Sequence, residues 1–344
     1  MASHPFSSLD DFIAQPRVEG VALSPDGRRV VLTIATLRAD ATGYERALWA
    51  VPADGAGTPV RLTRSAKGES SATFTASGDV LFVSARPDAD SDGDGDDAGA
   101  QLWVLPAAGG GARAVTRLAG GVGGIAAIAA AADRLVLTAE LLPGADTLEA
   151  DAALRGLRKQ KKVSAILHET YPVRYWDHDL GPAQPHLLAL DLDGLVDVLP
   201  ARTEVGADAA APASTDDTVS EPGAETTPYP TSLPRPRDLT PNPGRSADTA
   251  GAALTPNGRT LVAAMRVSEQ RDGRYVIVAI DTETGAQTSL FDEAGVDFEM
   301  PVISHDGATL AFTRTVFSMP DAPTDTEVWV AGVDGSNAPR TVAD

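Results

Sequence analysis

The stretch LSPDGRRVVLT (residues 23–33) sets an apolar residue, a four-residue turn and an alternating run in direct succession. An Asp-Gly pair is a strong short hairpin signal, because glycine enters φ > 0 without steric cost. The residues after it alternate, Val30, Leu32 and Ile34 against Val31 and Thr33, as a pleated strand requires. The same grammar returns as FTASGDVLFVS (74–84), LTPNGRTLVAA (254–264) and ISHDGATLAFT (303–313). A weaker copy, AAAADRLVLTA (129–139), carries Asp133 and Arg134 where the others have a small polar residue and glycine.

A second element follows each turn: ALWAVPADG (47–55), QLWVLPAAGG (101–110), HLLALDLDG (186–194), VIVAIDTETG (276–285) and EVWVAGVDG (327–335). Each is an alternating strand running into a turn. A third and shorter element closes the unit: PVRLTR (59–64), ARAVTR (112–117), PRDLTP (236–241), QTSLFD (287–292) and PRTVAD (339–344). The unit reads as four antiparallel strands, and the spacing from Gly27 to Gly78 is 51 residues, a period in the range of propeller blades. The expected fold is therefore all-β: a β-propeller with five blades at about 18–64, 68–117, 122–241, 247–292 and 297–344. An irregular β-sandwich also gives short strands at regular spacing, but it does not repeat one three-part grammar five times in order.

The remaining sequence falls into three pieces. Ser8 and Asp11 resemble a capping box before Phe12 and Ile13, which predicts a short helix in an N-terminal arm, 1–17. The third blade carries an insertion at 142–185. Its segment TLEADAALRGLRKQKKV reads as a helix with Thr147 as N-cap, acids in the first turn and a basic second half. A second excess, 201–235, is rich in Pro, Ala, Thr and acids and predicts a mobile excursion.

Composition narrows the function. A formal charge of −20, from 48 acidic against 28 basic residues, repels phosphate backbones and argues against nucleic acid. The absence of cysteine excludes disulfides, thiolate metal sites and a cysteine nucleophile. No basic and apolar leader opens the chain, and no apolar run reaches the length of a membrane span, so the expected location is the cytoplasm with no membrane contact.

Motifs for chemistry fail one by one. The run DADSDGDGDD (88–97) matches early calcium-loop positions through Asp88, Asp90, Asp92, Gly93 and Asp94, but its twelfth position is Gly99 and strands flank it. It reads as a solvated loop. HETYP (168–172) opens like a zinc helix, yet Pro172 stands where the second histidine belongs, and His4, His168, His178, His186 and His305 show no ligand spacing. GRSAD (244–248) lacks the last glycine of a nucleophile elbow. The reading is no catalytic residue, no metal and no cofactor. YPVRYWDHD (171–179) is the densest aromatic and charged segment of a chain that is 5% aromatic. Glu169 just before it, with Arg174, Tyr175, Trp176 and Asp177 within it, are the candidate substrate-contacting residues; the alternative is that Tyr175 and Trp176 simply pack against the blade.

FSSLDDFIAQPRVEGVALSPDGRRVVLT (6–33), with the later RDLTP, ALTPNGRTLV and VISHDGATLAFTR, resembles the opening and the blades of prolyl-oligopeptidase-family serine peptidases. The insertion with YPVRYWDHDLG is similar to that of acylaminoacyl-peptidase and dipeptidyl-aminopeptidase members. The resemblance spans essentially the whole chain. It implies about seven blades followed by an α/β-hydrolase domain, with a propeller that gates and sieves short peptides. Here five blades are expected, and the family's Ser, Asp and His have no matching positions, so the chain is expected to be an N-terminal portion, inactive alone, whose partners are that hydrolase domain and short peptides. An incomplete ring leaves exposed edges, from which self-association is expected. The alternative is a free-standing TolB- or WD-like propeller serving as a protein–protein interaction module.

Overall fold

Four antiparallel strands recur five times. The computed structural model describes residues 6, 8–87, 99–168, 172–192, 228–269 and 272–343. A short helix α1 (Leu9–Ile13), capped by the Ser8 side chain accepting from Asp11 N–H, precedes the first blade. Blade one consists of β1 (Arg17–Leu23), β2 (Arg29–Leu37), β3 (Tyr44–Pro52) and β4 (Val60–Arg61). Blade two has β5 (Ser70–Phe74), β6 (Val80–Ser84), β7 (Gln101–Leu105) and β8 (Arg113–Ala114). In blade three, β9 (Val122–Ile128) and β10 (Arg134–Leu141) are followed by helix α2 (Leu148–Lys161) and a small hairpin of β11 (Arg174–Tyr175) and β12 (His178–Asp179). The blade then resumes with β13 (Gln184–Asp191) and β14 (Arg237–Asp238). Blade four is β15 (Ala252–Leu254), β16 (Thr260–Glu269), β17 (Asp272–Asp281) and β18 (Gln287–Phe291). Blade five is β19 (Val296–Ile303), β20 (Thr309–Val316), β21 (Asp325–Gly332) and β22 (Arg340–Ala343). The chain is a β-propeller with a helical insertion in its third blade.

The repeated turn is a hydrogen-bonded device. In blade one Ser24 Oγ donates to Asp26 Oδ1 (2.6 Å) and accepts from Arg29 N–H (2.8 Å), while Asp26 Oδ1 accepts from Arg28 N–H (3.1 Å). Gly27, at φ 69°, lets its N–H reach Ser24 C=O at 2.9 Å. Blade four builds the same turn from Thr255 and Asn257, and blade five from Ser304 and Asp306. Blade three has no such pair. There Ala129 N–H bonds Arg134 C=O (2.9 Å), and the Arg134 guanidinium ties the turn to Asp191 (2.5 Å) and to Glu283 of blade four (2.6 Å). The threonine of the third element has a matching job: Thr63, Thr116 and Thr240 are buried and accept from the N–H of Leu48, Leu102 and Leu187. The outer strands are only two residues long in these blades, and the threonine extends each by one more polar link.

Period-2 alternation gives every blade two working faces. One face meets the preceding blade through the first and third apolar residues of the second strand and the residues opposite them on the third. These are Val80, Phe82 and Trp103 in blade two, and Leu135, Leu137 and Leu188 in blade three. They are Leu261, Ala263 and Val278 in blade four, and Leu310, Phe312 and Trp329 in blade five. The intervening residues, such as Leu81 and Leu102 or Val262 and Ile277, face the following blade. Four apolar clusters result, between blades one and two, two and three, three and four, and four and five. Each Leu- or Phe-sized side chain buried there stabilises by about 1.5–3 kcal/mol. Among the described residues no cluster joins the fifth blade to the first.

Candidate functional site

The site is built by the insertion of blade three and the near end of blade four. Helix α2 follows from its ends. Thr147 Oγ1 accepts from Ala150 N–H (3.1 Å), Glu149 and Asp151 lie in the first turn, and Arg158, Lys159 and Lys161 in the last, each complementing the helix dipole. Asp151, 1% exposed, fixes the helix to its blade. Its Oδ1 accepts from Leu142 N–H (2.8 Å) and its Oδ2 from Arg155 Nε (2.8 Å), while Arg155 Nη2 donates to Glu140 C=O (2.6 Å). Glu149 holds the returning chain: it accepts from both Nη atoms of Arg235 (2.6 and 2.7 Å) and from Tyr229 N–H (3.0 Å). The Arg235 pair, then the Tyr229 amide, pull the Glu149 carboxyl down to about 2. Residues 201–227 of the expected excursion lie outside the described residues. Within 228–235 only Tyr229 is buried, its ring in the cluster between blades two and three, with Leu233 packed against that cluster.

The β11–β12 hairpin docks on blade four through one tyrosine. Tyr175 Oη donates to Asp248 Oδ2 (3.0 Å), which also accepts from Arg245 Nε (2.6 Å). The guanidinium carbons of Arg266 and Arg245 stand 5.5 and 5.9 Å from the Tyr175 ring centroid, within cation–π range. Burial, and then the Asp248 charge, push the Tyr175 phenol up, so it stays protonated and remains a donor. The next residue does the opposite. Trp176 occupies the hairpin tip at φ 47° and is 98% exposed, an unusual backbone and an unusual exposure for an indole.

Against α2, and lined by the chain on either side of this hairpin, lies a cavity of about 480 Å³, within the size range of small-molecule sites. Leu142, Leu154, Leu180 and Pro182 supply apolar wall, and Arg158, His168, Gln184 and Arg245 add polar groups to the lining. Leu167 borders it and is 82% exposed. Apolar wall beside guanidinium and amide donors suits an apolar side chain or acyl group carrying a carbonyl or carboxylate.

Of the sequence-derived candidates, Tyr175 anchors the hairpin and Trp176 is presented to solvent, so the pair divides between packing and display. Arg174 is exposed and pairs with Asp179 at 3.5 Å. Asp177 is exposed, 3.7 Å from His178. Glu169 and the aspartate run 88–97 lie outside the described residues. Arg245, Asp248 and Arg266 were not singled out from sequence as site residues. GRSAD, which in sequence resembles only a broken nucleophile elbow, is a turn that delivers Arg245 and Asp248 to Tyr175, with Ser246 N–H bonded to Pro243 C=O (3.0 Å). Among the described residues no group of three or more His, Asp or Glu is placed to hold a metal ion, and no helix is long and apolar enough to cross a membrane.

No protein-family model matches the chain, and no curated protein matches it in sequence. Solved structures are similar in fold. An acylaminoacyl peptidase of Pyrococcus horikoshii is 11% identical with a TM-score of 0.54, over 96% of this chain and 40% of that one. An oligogalacturonate lyase in complex with manganese is 10% identical with a TM-score of 0.53, over 93% of this chain and 63% of that one. The oligogalacturonate lyase of Vibrio parahaemolyticus is 10% identical with a TM-score of 0.51, over 93% and 63%. The chain spans less than two thirds of the length of each.

Proposed function

We propose that this chain is the non-catalytic propeller of a prolyl-oligopeptidase-family serine peptidase, where it gates and sieves short peptides for an α/β-hydrolase domain. The reading rests on the family resemblance of residues 6–33 and of the insertion. It is supported by the likeness in fold to a peptidase of which this chain spans 40%. The observation that carries it is the insertion's construction: a helix tied down by the buried Asp151, a hairpin tied down by the half-buried Asp248, a cavity against the helix, and an exposed Trp176 at the hairpin tip.

Such an arrangement sorts ligands by size and by end group. A side chain or acyl group that fills the cavity gains about 0.8 kcal/mol per buried methylene. Its carbonyl meets the polar groups of the lining. A folded protein segment cannot enter a space of about 480 Å³. Trp176, with one face free on each side, gives a peptide backbone a flat apolar surface to lie against. A chain without cysteine needs no oxidising compartment, and the proposal sets it in the cytoplasm.

The test titrates chromogenic acyl-amino-acid and dipeptide anilides into the chain and follows tryptophan emission. Saturable quenching that disappears in Trp176→Ala, with no chromophore released, is the expected result. No saturable change, or turnover at enzymatic rates, overturns the proposal.

A further inference from the structure

The cavity against α2 carries a charge bias that runs against the composition of the chain. Acidic residues outnumber basic ones by 48 to 28, yet among the described residues the only lining groups able to carry charge are Arg158, His168 and Arg245. Arg245 is already answered: Asp248 Oδ2 accepts from its Nε at 2.6 Å and stands 2.5 Å from its Nη2. Arg158 is not. Its Nη2 donates to Ala165 C=O (3.0 Å), and among the described residues it has no carboxylate partner. That bond also fixes where the guanidinium stands. At the left-handed C-cap Lys162, φ 53°, the chain turns back, and Val163 N–H bonds Arg158 C=O (3.0 Å). It then runs through Ala165 to Ile166, Leu167 and His168 of the cavity wall. The half-buried Arg158 is thus held against the segment that lines the cavity, with the buried Leu142 and Leu180 in the same lining.

We propose that this cavity selects an apolar group that bears a free carboxylate, with Arg158 receiving the carboxylate, and that it discriminates against amidated and free-amine ends. The inference rests on the reading of the cavity as the place where short peptides are sorted, and adds the end group it selects. A guanidinium offers five N–H donors in a planar fork that matches a carboxylate, and the bond to Ala165 uses one of them. An amide offers a carbonyl without the charge, so its hydrogen bond is weaker. An ammonium finds only basic groups and no acid in the lining. The acids bonded to lining residues are themselves engaged: Asp151, on Leu142 N–H, also accepts from Arg155, and Asp248, on Arg245, also accepts from Tyr175. Lys159 and Lys161, in the same last turn as Arg158, add positive potential at this end of the helix. The formal charge of −20 opposes an anion from farther away, and physiological salt screens it beyond about 8 Å.

Calorimetric titration of the full chain tests this with four probes: N-acetylglycyl-leucine, its C-terminal amide, leucinamide and isocaproate. The acetylated acid is expected to bind about tenfold more tightly than its amide, the low end of what a hydrogen bond to a charged group supplies, and leucinamide to bind least. Isocaproate carries the same chemistry without a peptide bond. Weaker binding than the acetylated acid assigns the site to peptide ends, and tighter binding assigns it to free apolar acids. In Arg158→Gln the acid is expected to fall to the affinity of the amide. Lys161→Gln, in the same helical turn but outside the lining, keeps the preference. Circular dichroism checks that both variants are native, and the wild-type comparison of acid with amide needs neither. Equal affinity of acid and amide in the wild type, or tighter binding of leucinamide, overturns the proposal. So does a preference that survives Arg158→Gln or is lost equally in Lys161→Gln. Each of these results leaves the sorting of peptides by the cavity standing, whereas no binding by any probe overturns both.

Discussion

Removing one hydroxyl, Tyr175→Phe, isolates the contact that docks the hairpin. The phenol donates to Asp248 at 3.0 Å, and a hydrogen bond to a charged group contributes about 1.5–3 kcal/mol. Asp248 keeps Arg245 at 2.6 Å after the change, so no carboxylate is orphaned and the loss falls at the low end, about 1.5 kcal/mol. The hairpin is a local unit, and its opening need not unfold the blade. The reporter is therefore the Leu180 amide, which bonds Val173 C=O at 3.0 Å only while the hairpin is closed. Hydrogen exchange at Leu180 is expected to accelerate about tenfold in Tyr175→Phe, with the amides of β16 unchanged. The pH dependence follows from the raised phenol: its stabilisation is complete below the ordinary tyrosine value of 10.0 and is lost as pH rises through the higher folded value. Wild-type and variant exchange therefore converge only at strongly alkaline pH, after intrinsic rates are divided out. A Leu180 amide equally protected in both proteins at neutral pH refutes the docking role of the Tyr175–Asp248 bond.

Glu149→Gln removes a carboxylate held at about 2, whose contribution is present above its ordinary 4.5 and is lost as pH falls through about 2. Half of the Arg235 side chain is exposed, so the discounted loss is ~1 kcal/mol above pH 4.5, read by urea unfolding, with the difference vanishing near pH 2. Glu69, 2% exposed, pairs with Arg86 and accepts from Thr63 Oγ1 (2.8 Å); Glu69→Ala strands the arginine and is expected to cost about 3 kcal/mol in the same assay. Phe312→Ala opens a cavity among Phe291, Phe298 and Leu310 between blades four and five and is expected to cost about 3–5 kcal/mol, with blade-five amides losing protection before those of blade three.

The propeller is legible because its signals are local. Ser24-x-Asp26-Gly27 and its counterparts encode their own turns, each hydrogen bond spanning at most five residues, and the alternation that follows fixes which side chains share a face. The tryptophans of ALW, QLW and EVW mark one blade position, since Trp49, Trp103 and Trp329 lie opposite Leu32, Phe82 and Phe312. The weak third copy is readable for the same reason, although its turn is held by Arg134 and not by an Asx side chain. The site is less legible because its decisive contacts are remote. Tyr175 and Asp248 are 73 residues apart in sequence, and no spacing rule says that the two ends meet. The tip of the hairpin was hidden as well: YWDH offers no glycine, yet Trp176 takes the left-handed conformation that a glycine signal would have marked.

The distribution of covered faces then explains where each feature sits. In a stack whose units touch only their neighbours, stability is the sum of blade terms and interface terms, so a blade with two covered faces is held better than one with a single covered face. Blades two, three and four are of the first kind, and Arg134 adds an ion pair to Glu283 across the seam between three and four. The insertion is anchored at both of them, by Asp151 to Leu142 of blade three's connection and by Tyr175 to Asp248 ahead of blade four. The cavity therefore rests on two of the three blades that are covered on both faces.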